Sequence, residues 1–104
     1  MDTKNPLTDI QLTTLTDKLI SLEYSIGYDA RTIYVGRKDA KFIGTTPVTP
    51  ILEINRSIIG EMDGTHTYFA HFPEIDSNLK TLSYLAQNEL IGVYASLFGT
   101  LKLG

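Results

Sequence analysis

At 104 residues the chain has the length of one domain, and its 42% hydrophobic and 20% charged content is that of a folded protein, not a disordered one. A net charge of −3 weighs against nonspecific binding to nucleic acid, which depends on many cations displacing counterions. The lack of cysteine excludes disulfide frameworks, thiol redox motifs, zinc knuckles and cysteine nucleophiles.

The opening residues, MDTKNPLTD, are polar and have neither the basic nor the apolar region of a signal peptide. A first helix is expected after Pro6, capped by Thr8 or Asp9. Leu12, Leu15, Leu19, Leu22 and Ile26 recur at alternating spacings of three and four, which places one apolar seam on a helix that stops at Gly27.

Two β-rich runs follow, "RTIYVG" and "AKFIGT", separated by Arg37, Lys38 and Asp39. A hairpin between them sets Val35 opposite Phe42 and Ile33 opposite Gly44 on one face, with Tyr34 opposite Ile43 on the other. Apolar groups then lie on both faces, so a helix or a partner is expected on each. The segment "TTPVTP" reads as a linker, because two prolines are incompatible with a central strand.

The run "ILEINRSIIGEM" precedes Asp63-Gly64, a strong hairpin signal, and "THTYFAHF" follows it. A two-residue turn there pairs Glu61 with His66, Ile59 with Tyr68, Ile58 with Phe69 and Arg56 with His71. Leu52, Ile54, Ile58, Met62 and Phe69 would form the core side, and Arg56 and His71 would share it. His66 and His71 point to opposite faces in this register, so one metal ion cannot take both, and no metal or other cofactor is expected. A cation beside a histidine on an apolar face is the least expected polar feature of the chain. With Tyr68 nearby, Arg56 and His71 form the candidate site for a small molecule or anion.

A second helix is expected from Glu74 or Asp76 to about Phe98, capped by Asp76 or Ser77, with a seam of Leu79, Leu82, Ala86, Leu90, Val93 and Leu97. Its last part lies in the longest uncharged apolar stretch, Leu90 to Leu101. Those twelve residues fall short of the roughly 20 that a membrane span needs. From Leu90 to Phe98 apolar residues surround the helix, which makes Leu90, Ile91, Tyr94, Ala95 and Phe98 the candidate interface of a homodimer.

The chain is thus expected to be an α+β domain: an N-terminal helix, a four-stranded antiparallel meander of two hairpins, and a C-terminal helix packed on the sheet. Phosphate-binding glycine motifs and nucleophile elbows are missing, so no enzyme is expected. The expectation is a cytoplasmic, bacterial or phage interaction module of accessory, chaperone-like or immunity type that binds itself and another protein. Arg31, Arg37, Lys38 and Lys41, with Tyr34 and Phe42 among them, form the one basic cluster and the alternative site for nucleic acid.

Overall fold

The structure is a computed structural model and describes residues 5–57, 66–75 and 81–99. Chain order is β1 (Asn5–Leu7), α1 (Asp9–Ser21), β2 (Ser25–Asp29), β3 (Thr32–Gly36), β4 (Phe42–Ile43), β5 (Thr46–Pro47), β6 (Leu52–Arg56), β7 (Tyr68–His71) and α2 (Leu82–Phe98). The class is α+β, with an N-terminal helix, an antiparallel sheet and a C-terminal helix packed on that sheet. The sheet has five strands where four were expected, in the order β1-β7-β6-β3-β2. Four of these, β2-β3-β6-β7, are a meander, and β1 adds to its end. No helix among the described residues is long and apolar enough to cross a membrane.

α1 starts at a reciprocal capping box. Thr8 Oγ1 accepts from the Gln11 amide at 3.2 Å, and Gln11 Oε1 accepts from the Thr8 amide at 3.0 Å. The helix ends at Ser21, ahead of the expected stop at Gly27, because Glu23 turns the chain with φ +69°. Tyr24, Ile26 and Tyr28 then alternate as a strand does, and Ile26 pairs with Val35. The leucine seam had drawn Ile26 into the helix, since its spacing from Leu22 fits either period.

The first expected hairpin is not formed. β3 pairs with β2 on one side and with β6 on the other, so Val35 faces Ile26 and Leu52 and does not face Phe42. Phe42 and Ile43 instead fold back on Pro47 and Thr46, through a turn at Gly44 with φ +62°. This small hairpin lies over the outer edge of β2. The Tyr28 amide donates to the Thr45 carbonyl at 2.9 Å, and the Thr45 hydroxyl donates to the Tyr28 carbonyl. A Cβ on Gly27 would stand 2.2 Å from the Thr45 carbonyl oxygen, so only glycine lets the hairpin lie this close. Both edges of the sheet are thereby blunted, β2 by the hairpin and β1 by Pro6, which has no amide hydrogen to offer.

Leu7, Ala70, Ile54, Leu52 and Val35 share one face of the sheet and are buried, together with Leu15 and Leu19 of α1 and Leu90 and Tyr94 of α2. Tyr94 stacks edge-on against Phe72 and Phe98, with ring centroids 5.7 and 4.9 Å away. α2 is capped by Thr81, whose hydroxyl accepts from the Tyr84 amide at 3.1 Å, and it ends at Gly99 with φ +76°. The expected caps Asp76 and Ser77 and the seam residue Leu79 lie outside the described residues. Of the rest of the expected seam, Leu90 is buried and Ala86, Val93 and Leu97 pack against the core, whereas Leu82 is 62% exposed; Gln87 and Tyr94, outside that seam, are buried as well. The Gln87 Nε2 donates to the Ile51 carbonyl at 3.1 Å and to the Pro73 carbonyl at 2.6 Å, which joins α2 to the start of β6 and the end of β7.

Candidate functional site

The register of β6 and β7 decides the fate of the expected Arg56–His71 pair. His71 pairs with Glu53, and Arg56 pairs with Tyr68. The slip from Arg56 to Glu53 is three positions, an odd number, so it moves His71 to the face opposite the core. Phe69, expected on the core side, moves with it. Arg56 remains on the core side beside Tyr68, where both line a hollow of about 200 Å³ with Tyr28 and Arg31. The three expected ligand residues are therefore not one constellation: Arg56 and Tyr68 meet, and His71 is apart from them. The ladder closes with the Ser57 amide donating to the Thr67 carbonyl at 2.8 Å; Asp63-Gly64, Ile58, Ile59, Glu61 and Met62 lie outside the described residues.

His66 is half-buried, and its amide donates to Asp9 Oδ2 at 3.2 Å. Its ring meets Tyr68 edge-on at 6.2 Å. The described part of its surroundings is thus the start of α1, and its expected partner Glu61 lies outside the described residues.

The basic cluster is also divided. Arg31 precedes β3 and Arg37 follows it, so the strand separates them, and Arg31 belongs to the hollow of Arg56. Arg37, Lys38 and Lys41 stay together at the other end, beside the first turns of α2. There they line two adjoining hollows that share Arg37 and Asp39.

The first hollow, of about 340 Å³, has Leu82, Leu85 and Ala86 as one wall and Tyr24 and Lys38 across from them, with Glu89 also in its lining. The second, of about 250 Å³, runs between Lys41, Val48 and Thr49 on the loop side and Ser83 on α2. Leu82 and Leu85 are 62% and 53% exposed, and Val48 is exposed too. The Arg37 guanidinium bonds to Asp39 and holds that carboxyl below the usual carboxylate range. Asp39 is thus engaged, and among the described residues neither Lys38 nor Lys41 forms an ion pair.

Tyr24, like Leu85, Ser83 and Glu89, is a residue of this groove that the sequence did not single out. It is 7% exposed, and its hydroxyl is buried. Burial first, and then the charge of the Glu89 carboxylate and a hydrogen bond to it, push its pKa above that of an ordinary tyrosine. An aromatic alternating with Ile26 and Tyr28 was a signal for the strand, but nothing in the sequence joined it to α2.

The expected interface divides as well. Leu90 and Tyr94 are 0% and 1% exposed and belong to the chain's own core, to which Phe98 also packs. Ile91 and Ala95 are half-buried and, among the described residues, are not part of that core. At 100° per residue, they lie on the flank of α2 away from Leu82 and Ala86, with exposed Gly92 between the two flanks. Compared with known proteins, the chain matches no family model, no curated protein and no solved structure.

Proposed function

We propose that the chain is a small non-enzymatic protein-interaction module that acts as a homodimer through α2. The observation that carries this reading is the composition of the helix: among the 17 residues of α2 the one charged side chain is Glu89. A helix face that serves only water is ordinarily studded with charges. Here the exposed face holds Leu82, Leu85, Asn88, Glu89, Gly92 and Ser96.

Gly92 supports the choice of a second copy as partner. A Cβ there would meet nothing within 4 Å among the described residues, so no described neighbour requires glycine. A mid-helix glycine costs about 0.5–1 kcal/mol relative to alanine. Close approach of a second backbone, packed over Gly92, Ala95 and Ile91, gives that cost a reason, and a two-fold axis is the simplest way to supply one.

Gly92→Glu separates this reading from its alternatives. Because the site is open and glutamate favours helix, the variant should unfold at the same or slightly higher denaturant concentration. Its charge at the helix crossing should convert the dimer to monomer in sedimentation equilibrium. A Gly92→Glu chain that still dimerises as the wild type does would contradict the proposal.

A further inference from the structure

We infer that the groove between residues 37–49 and the first two turns of α2 binds an acidic segment of a partner protein, anchored by an aliphatic or aromatic side chain. The inference rests on the reading of the chain as an interaction module and names the partner's chemistry. It uses the flank of α2 that bears Leu82, distinct from the flank of Ile91.

The apolar half of the recognition lies in the first hollow. Leu82 and Leu85 are one turn apart on the helix and more than half exposed, and Ala86 completes a wall large enough for one bulky side chain. Exposed leucines standing over a concavity are the composition of an anchor pocket.

The charged half lies on the opposite bank. Asp39 is engaged by Arg37, which leaves Lys38 and Lys41 against the single carboxylate of Glu89. The chain as a whole carries −3, so this positive bank is a local feature set against the general charge. The second hollow adds the positive end of α2: Ser83 is in its first turn, that turn has no acidic side chain, and the Thr81 hydroxyl accepts from the Tyr84 amide. An acidic residue lying there next to an apolar anchor in the first hollow would meet complementary groups at both places.

The test is selection of a random peptide display library on the immobilised full chain, followed by titration of the recovered peptides. Recovered sequences should combine Asp or Glu with Leu, Ile or Phe, and their binding should weaken as salt rises. Lys38→Glu with Lys41→Glu should weaken that binding about tenfold or more, and so should Leu85→Glu. All three positions are exposed, so the variants should retain the wild-type circular dichroism and unfolding midpoint. Peptides of basic or uncharged composition, or peptides that bind both variants undiminished, would overturn the groove while leaving the interaction module standing. If no peptide is recovered the groove inference fails, and if the chain is also monomeric the broader reading fails with it.

Discussion

Gly27 is the position where a single hydrogen-for-methyl change should tell most about how the sheet edge is closed. Its missing Cβ makes room for the Thr45 carbonyl, and Phe42 and Pro47 stand at 3.0 Å from the same point. Gly27→Ala should destabilise the fold by about 1–3 kcal/mol, read from the shift in urea midpoint, because backbone and two rigid rings must all move. A midpoint unchanged by the substitution would show that the hairpin does not hold the edge.

Tyr94 makes a second statement at this scale. Its hydroxyl pKa is pushed up to about 12 by burial, so the folded state favours the neutral phenol. Unfolded tyrosine titrates near 10. The stability from keeping Tyr94 neutral is therefore complete below about pH 10 and is lost as pH rises through the folded value. Tyr94 should lower the unfolding free energy by roughly 2–3 kcal/mol over that interval, and Tyr94→Phe should make the slope shallower, Tyr24 supplying part of what remains. Chemical denaturation at stepped alkaline pH checks this, and equal slopes for both proteins would refute it.

At the scale of elements, the periodic part of the sequence was legible and its interruptions were not. The leucines of α1 announced the helix, and Thr8 announced its start. The end of α1 was hidden because Ile26 continued the leucine spacing into what is β2, where Val35 claims it. In α2 the hydrophobic side chains outnumber what one seam can hold, so apolar spacing placed Ala86, Leu90, Val93 and Leu97 on the core but left open how far the buried face extends toward Tyr94. That extension includes Gln87, a polar residue, because two carbonyls of other segments converge on its amide. Gln87→Ala should cost about 2–4 kcal/mol, since it removes two hydrogen bonds and leaves both acceptors poorly solvated. Denaturation should show this loss, and a change under half a kcal/mol would mean that α2 is held by its apolar contacts alone.

At the scale of the molecule, strand succession was enough to give an antiparallel meander between two helices, because short connections favour neighbours. Register was beyond it. The Asp63-Gly64 signal implied that Arg56 faces His71, and the ladder instead sets Tyr68 against Arg56; one odd slip exchanges the faces of every residue on the strand. The candidate groove was half legible for the same reason. Its basic bank and the apolar excess of α2 each stood out in the sequence. That Arg37, Lys38 and Leu85 line one hollow follows only once β3 pairs with β2 and β6, and not with residues 42–44. Both proposed surfaces, the groove and the Gly92 crossing, lie on a helix that carries one charge in 17 residues.

Sedimentation velocity of the unmodified chain across micromolar concentrations tests the central claim most directly. A chain built to dock through α2 should sediment at twice its own mass at the upper end and shift toward monomer on dilution, as a self-associating module must. A single monomeric species at every concentration would contradict the account.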